Sequence, residues 1–356
     1  MKHSDSKTAL GSVFRIMDAS LNRAGEGLRV LEDIARLVLN DSGLTVELKN
    51  IRHEIEEVPR LLKLQFVSNR NAPGDIGAGF AADTPSTGKD ITSTVIANAR
   101  RAEQALRTLE EFARLPRVNC AGEVFQKARF RLYSIEKDLL GGLARLQTSR
   151  LIKGLYVILD SQFLGGRSHA DMALELTRAG VKIIQLREKD MPAGQFLDIA
   201  CRLKSICYEA GALFIVNDKL DIALAAGADG LHLGQDDLPV KIAREHLPFD
   251  RLIGVSVATV EQAREAEIQG ADYIAAQALF PTASKECTPI GIEQFKSIRT
   301  ATAMPLVAIG GINIDNIHQV ISAGADAAAV IRWVTLNPDP FNACRQMITR
   351  FEARDR

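Results

Sequence analysis

A chain of 356 residues with 46% apolar and 25% charged side chains is long enough for two soluble domains. Its 44 basic and 44 acidic residues cancel, which disfavours a global attraction to nucleic acid or an acidic membrane, and no apolar run approaches a membrane span or a signal segment. Five cysteines (Cys120, Cys201, Cys207, Cys287, Cys344) have neither metal-type nor redox-type spacing, so free thiols in a reducing cytoplasm are expected.

From Val13 to Leu39, apolar residues recur at Leu21, Ala24, Leu28, Leu31, Ala35 and Leu39, the three-or-four spacing of an amphipathic helix. The same phrase then returns. Residues 22–37 (NRAGEGLRVLEDIARL) align with residues 100–115 (RRAEQALRTLEEFARL) at an offset of 78, with nine of sixteen positions identical. Each copy is followed by a second amphipathic segment, around 44–64 and 122–145, with Arg52 near the place of Arg131. The pattern predicts an all-helical domain over 1–148, a duplicated hairpin whose apolar stripes close as a four-helix bundle. Between the copies, residues 67–91 are rich in Gly, Pro, Ser and Asn and predict a long loop. The charged stripe Asp18, Asn22, Arg29, Glu32, Arg101, Arg107 and Glu110 suits a salt-bridge ladder on a structural or oligomerising bundle; a site between the hairpins is the alternative.

Residues 149–356 alternate. β-rich runs at Gly154–Asp160, Val181–Glu188, Leu213–Asp218, Gly230–Gln235, Leu252–Val257, Tyr273–Phe280, Pro305–Ile312 and Ala327–Trp333 are separated by helical segments at 169–179, 193–210, 220–226, 239–246, 260–269, 291–302 and 315–323. Eight such units predict an α/β fold, a (β/α)8 TIM barrel following the helical bundle, with an open doubly wound sheet as competitor. In such a barrel the chemistry collects at the C-terminal ends of the strands.

Polar residues gather where the apolar runs stop. Alternation puts Gln185, Arg187 and Lys189 on one face of the second run, and two cations aimed into a barrel mouth suit a phosphate or diphosphate. The third run ends in Asn217-Asp218 and the fourth in Gln235-Asp236-Asp237. Carboxylates from two strand ends beside cations are what a Mg²⁺–diphosphate site needs; singly, such residues are turn formers or helix caps, and His232 alone reads as a hydrogen-bonded barrel residue. After the sixth run comes Thr282-Ala283-Ser284-Lys285, a string of anion donors, and after the seventh the pair Gly310-Gly311, where backbone N–H groups can approach a ligand. Two anion-binding strings on opposite parts of the rim suggest two phosphorylated substrates.

The strings QLREK (185–189), ND (217–218), GADGLHLGQDD (227–237), GVS (254–256), GADYI…FPTASK (270–285), AIGGI (308–312) and GADAAAVI (324–331) resemble, in this order, the thiamine phosphate synthases. The resemblance implies a transferase that joins hydroxymethylpyrimidine diphosphate to hydroxyethylthiazole phosphate, giving thiamine phosphate and diphosphate, with Mg²⁺ and by dissociative substitution. It implies that Gln185, Arg187, Lys189 and Asn217 contact the pyrimidine diphosphate, that Asp218 and Asp237 hold Mg²⁺, and that Ser256 lies by the pyrimidine. Thr282 and Ser284 would face the thiazole phosphate, Lys285 the diphosphate, and Gly311 with Ile331 and Arg332 the thiazole phosphate from its other side. Arg187, Lys189, Ser256 and Lys285 are the expected catalytic groups.

The chain departs from the usual family pattern at Gln277-Ala278, where Gly-Pro is common, at Val257-Ala258, and at Arg332, where Ser is common. The first half is similar to the helical domain fused to some of these synthases, sometimes named an alternative hydroxymethylpyrimidine phosphate kinase, although residues 1–150 hold no Walker-type glycine loop. Rival readings are a thiazole tautomerase, against which Lys189, Asp218 and Asp237 argue, and a catalytically weak precursor sensor. Expected partners are small-molecule substrates, with neither nucleic acid nor membrane, in the cytoplasm; a homo-oligomer is left open.

Overall fold

The computed structural model describes residues 2–57, 60–71, 90–118, 120, 122–282 and 288–353. The chain forms two compact units, Met1–Leu143 and Ala144–Arg356. The division falls inside a continuous helix, whereas the change in sequence grammar puts it at 148/149.

In the first unit, α1 (Lys2–Leu37) and α4 (Ile91–Ala113) carry the two copies of the repeat. The matched pairs Ala24/Ala102, Leu28/Leu106, Leu31/Leu109 and Ala35/Ala113 are all buried, so the repeated positions are the core of the bundle. Helix α1 is closed off beyond Leu37 by Asn40, whose φ of 52° lets Asp41 N–H return to the Ala35 carbonyl at 2.9 Å. Asp41 then caps α2 (Ser42–Glu56), and Asp90 caps α4 through Ser93 N–H at 2.7 Å.

The two copies differ in their second limb. The second copy continues in one helix, α5 (Gly122–Ser149), but the first is divided into α2 and α3 (Arg60–Ser68), so the single segment expected over 44–64 is two helices. Pro59 in the sequence between them is the reason: proline starts a helix readily and cannot lie inside one. Helix α3 reaches into the loop expected from residue 67, and residues 72–89 of that loop lie outside the described residues.

The charged stripe forms ion pairs. Glu32 is buried between Arg29 at 3.1 Å and Arg52 at 3.2 Å. Its repeat partner Glu110, wholly buried, takes Arg107, Arg114 and Arg129 at 3.1, 2.6 and 2.9 Å. Arg129 thus does for the second copy what Arg52 does for the first. Arg131, the counterpart expected from alignment, instead pairs with Glu47 and Glu54. Asp18 holds Arg70 through two hydrogen bonds, and Arg101 bonds Asn98, while Asn22 is exposed.

The second unit is a closed barrel of eight parallel strands in sequence order: β1 (Gly154–Leu159), β2 (Ile183–Leu186), β3 (Leu213–Asn217), β4 (Gly230–Leu233), β5 (Leu252–Val257), β6 (Tyr273–Ala276), β7 (Leu306–Ile309) and β8 (Ala327–Val330). Between them run α6 (His169–Arg178), α7 (Ala193–Glu209), α8 (Leu220–Ala225), α9 (Val240–His246), α10 (Val260–Ile268), α11 (Gly291–Ala301) and α12 (Ile317–Ser322); α13 (Arg332–Thr335) and α14 (Pro340–Glu352) follow β8. Alternate strand residues fill the barrel (Tyr156, Ile158, Ile183, Ile215, Tyr273, Val307, Ala329), and the others pack under the helices. Most strands stop before the β-rich runs do, because the run continues into the loop that carries polar groups. The expected open-sheet competitor is excluded by the pairing of β1 with β8.

A Gly-Ala-Asp triplet stands before β4, β6 and β8, at the N-terminal rim. Gly227, Gly270 and Gly324 have φ of 62°, 89° and 92°, which turns the chain out of the preceding helix. Asp229, Asp272 and Asp326 then each accept an N–H from the first two residues of a neighbouring strand: Phe214 at 3.0 Å, Ile253 at 2.7 Å and Leu306 at 2.8 Å. Each aspartate also has a cation: Lys204 for Asp229, Arg145 and Arg244 for Asp272, and Arg299 for Asp326.

Candidate active site

At the other rim the barrel opens into a cavity of about 730 Å³. It is lined by Gln185, Arg187 and Lys189 after β2, Asn217 and Asp218 at β3, Asp237 after β4, Ser256 in β5, Thr282 after β6, Gly311 after β7, and Ile331 and Arg332 after β8. Residues 130 or more apart in sequence therefore share one chamber. Ser284 and Lys285 lie outside the described residues, as does Cys287.

Arg187 is aimed by its backbone and its partner. Its N–H continues the sheet ladder to the Leu159 carbonyl at 2.9 Å, and its guanidinium is ion-paired with buried Asp160. Glu188 points away from the cavity. It accepts Ser161 N–H at 2.8 Å and Ser161 Oγ–H at 2.7 Å, and meets His169 Nε2 at 2.7 Å. Burial opposes the Glu188 charge, but the bonds from His169 and Ser161 outweigh it and hold the carboxyl below its ordinary value. Asp160 and Glu188 thereby tie the loop after β1 to the end of β2. Neither is singled out in the sequence; Asp160 also caps the short turn after β1, accepting Gln162 N–H at 3.1 Å.

Asp218 has φ of 60°, the left-handed region, which a non-glycine residue adopts at a cost of about 1–2 kcal/mol. The turn brings its carboxylate against that of Asp237, which is steadied by Gly234 N–H at 2.7 Å. Burial and the facing Asp237 push Asp218 up to about 7, against the charges of Arg187 and Lys189. Asp218 and Asp237 are the residues that would hold a divalent cation, whose charge would relieve that repulsion. Among the described residues no three His, Cys, Asp or Glu side chains converge, so the donor set is two hard oxygen ligands open to phosphate and water. That suits Mg²⁺, which binds through one or two carboxylates and keeps its remaining positions for other oxygens.

The cavity floor is a string of buried polar groups. Gln185 Nε2 donates to the Tyr156 hydroxyl at 2.9 Å, Tyr156 and Tyr273 hydroxyls are 3.1 Å apart, His232 Nδ1 is 3.2 Å from the Tyr273 hydroxyl, and His232 Nε2 is 3.0 Å from Ser256 Oγ. Gln235 Nε2 fixes the Ser256 carbonyl at 2.7 Å. His232, read from sequence as a hydrogen-bonded barrel residue, is one, and burial pushes it down to about 4. Tyr273 reaches the floor only because residue 254 lacks a side chain: a Cβ there would lie 2.0 Å from the tyrosine ring. The GVS string thus supplies Ser256 and the space for its neighbour.

On the opposite wall, Gly310 and Gly311 have φ of 92° and 67°, and a Cβ at either would strike Ala278 at 2.4 Å or the Pro281 carbonyl at 2.5 Å. Gln277 and Ala278 line the cavity, so the departures from Gly-Pro lie in the chamber itself. Ala258 is held by its backbone, N–H to Gln262 Oε1 at 2.7 Å and carbonyl from Gln294 Nε2 at 3.2 Å. Arg332 is exposed at the rim, with its guanidinium 5.8 Å from the Phe163 ring centroid.

Residues 155–334 match the family described as thiamine monophosphate synthase. The chain belongs to the thiamine-phosphate synthase family. A thiamine-phosphate synthase of Gloeobacter violaceus is 36% identical over 92% of this chain and 94% of its own length, and one of Rhodopirellula baltica is 36% identical over 93% and 89%. Among solved structures, thiamine phosphate pyrophosphorylase from Pyrococcus furiosus superposes with a TM-score of 0.54 at 37% identity, covering 57% of this chain and 98% of its own. Residues 15–138 match the ThiD2 family. The chain is thus a transferase of thiamine biosynthesis whose barrel is preceded by a helical unit, and no helix among the described residues is long and apolar enough to cross a membrane.

Proposed function

We propose that this cavity condenses hydroxymethylpyrimidine diphosphate with hydroxyethylthiazole phosphate to give thiamine phosphate and diphosphate. The observation that carries the reading is the facing pair Asp218 and Asp237, from two strand ends, beside Arg187 and Lys189 in one chamber. A thiazole tautomerase needs no such diphosphate apparatus. When bound at the two aspartates, Mg²⁺ supplies charge neutralisation to the departing diphosphate.

The chain's own groups do the rest. Arg187, held in place by Asp160, and Lys189 take the negative charge that accumulates as the pyrimidine methylene–oxygen bond breaks. Asn217 and Gln185 orient the pyrimidine diphosphate, and Ser256 bonds the ring. Gly311 presents backbone N–H to the thiazole phosphate beside Thr282, Ile331 and Arg332, which places the thiazole nitrogen to attack the methylene carbon. Ser284 and Lys285 complete the two anion subsites in this reading. No protein nucleophile takes part, in keeping with the dissociative course. The enzyme is read as cytoplasmic.

The helical unit is read as a structural bundle, because its charged stripe is engaged in the ion pairs of Glu32, Glu110 and Asp18. Conversion of hydroxymethylpyrimidine phosphate to its diphosphate by the full chain with ATP would overturn that. The synthase reading is tested by thiamine phosphate formation from both substrates with Mg²⁺, beside an Asp218→Ala control. Turnover that vanishes in the control is expected. Tight binding of both substrates without turnover would instead favour the sensor.

A further inference from the structure

With the Gln185 amide nitrogen turned toward Tyr156, hydrogen-bond bookkeeping along the cavity floor has one solution. The Gln185 amide nitrogen carries only hydrogens, so the Tyr156 oxygen accepts from it at 2.9 Å. The hydrogen of Tyr156 then goes to Tyr273, whose oxygen is 3.1 Å away. Tyr273, having accepted there, donates to His232 Nδ1 at 3.2 Å. An imidazole that accepts at Nδ1 carries its hydrogen on Nε2, and that hydrogen meets Ser256 Oγ at 3.0 Å. Ser256 has accepted, so its own hydrogen is left for the cavity.

Other arrangements leave a buried group unsatisfied. Tyr273 is wholly buried, and Tyr156, Gln185 and His232 show only 2%, 3% and 7% of their surface, at the cavity wall, so pairing within the string sets most of their hydrogens. A doubly protonated His232 would donate to Tyr273, turn the Tyr273 hydrogen toward Tyr156, and leave the Tyr156 hydrogen facing another donor. A buried donor left unmade is destabilising, because it has given up its water without a replacement. The reverse polarity requires the Gln185 carbonyl where its amide nitrogen stands.

We infer that Gln185, Tyr156, Tyr273 and His232 form a one-way relay whose output is the Ser256 hydroxyl held as a donor toward an acceptor atom, a ring nitrogen, of the pyrimidine substrate. The inference rests on the reading that Ser256 faces the pyrimidine. Tyr273 does not line the cavity and acts through His232 and Ser256, so it is a positioning residue. Its position is prepared by Gly254, the residue whose missing Cβ admits the ring.

Two measurements on the full-length chain test this. Long-range ¹H–¹⁵N correlation of the imidazoles, with a His232→Gln variant for assignment, reads the tautomer in ligand-free protein; Nε2–H is expected, and Nδ1–H or a doubly protonated ring at neutral pH overturns the relay. Steady-state kinetics then form a double-mutant cycle. Tyr273→Phe and Ser256→Ala are each expected to lower kcat/KM for the pyrimidine diphosphate about tenfold, with the KM for the thiazole phosphate unchanged. The double variant should be no worse than Ser256→Ala alone. Losses that multiply would mean that Tyr273 acts structurally, not through Ser256. If Tyr273→Phe does not fold, Tyr156→Phe takes its place in the cycle. The tautomer is read without substrate, so a failure of the synthase reading leaves the relay decidable.

Discussion

The two rims of the barrel use the same side chain for opposite purposes. At the N-terminal rim, Asp229, Asp272 and Asp326 each hold a strand N–H and at least one cation, and their backbone turns are made by glycines. At the C-terminal rim, Asp218 sits in a left-handed conformation without being glycine, and its carboxylate faces another carboxylate. One set is satisfied and locks the fold; the other is held in strain and mutual repulsion, which is the condition of a group waiting for a ligand. We propose that a carboxylate facing a carboxylate, as at Asp218, rather than its position beside a strand end, separates the aspartates of the site from the structural ones.

The sharpest way to break this comparison is to exchange the outcomes. Asp272→Ala should cost about 3–5 kcal/mol, because Arg145 and Arg244 lose the carboxylate that pairs with both and Ile253 N–H loses its acceptor. Urea unfolding should show that loss while the folded fraction keeps its kcat; a fall in kcat at full folding would contradict the division of roles. Asp218→Asn should do the reverse. It should lower kcat by about a hundred- to a thousandfold and leave the midpoint of unfolding unchanged or raised, since the repulsion with Asp237 disappears. Mg²⁺ should raise the melting temperature of the parent chain and not of this variant.

Glycines sharpen the same contrast. Gly270→Ala meets open space, so its cost is the left-handed backbone alone, about 1–2 kcal/mol, with activity retained. Gly311→Ala adds a collision with the Pro281 carbonyl and Phe280, so it should also raise the KM for the thiazole phosphate. Equal kinetic effects of the two substitutions would remove the distinction between the rims.

Much of this is legible in the sequence. The eight β-rich runs and the strings at their ends depend on local pattern, and Gln185, Arg187, Lys189, Asn217, Asp218, Asp237, Ser256 and Gly311 do share one cavity. What escaped was contact made only by closure. Tyr156 in β1 and Tyr273 in β6 are 117 residues apart and meet across the barrel interior, so each reads alone as an ordinary core aromatic. Asp160 reads only as the end of a β-rich run; one of its oxygens caps the next turn and the other holds Arg187. In the helical unit the repeat reported the core pairs, but Arg129 rather than Arg131 reaches Glu110, because the second limbs differ in how their chain is divided and the two residues between these arginines turn a helical side chain by about 200°.

The smallest expected effect tests how far the comparison extends to cations. Strand β8 begins beside one arginine and ends at another. Arg299 pairs with Asp326 at 2.8 Å and also donates to the Thr302 and Met304 carbonyls, so its charge is locked into the strand's start. Arg332, after the strand's end, lies over Phe163 at the cavity rim, and among the described residues no carboxylate pairs with it. Extending the proposal made for the aspartates, the unpaired cation would be the one reserved for a ligand. Arg332→Ala should therefore raise the KM for the thiazole phosphate about fivefold, the worth of one exposed charge at about 1 kcal/mol, with kcat and the melting temperature unchanged. The rise should shrink as salt increases, since an exposed charge is screened. An unchanged KM at low salt would make Arg332 a rim residue packed on Phe163 and confine the rule to carboxylates.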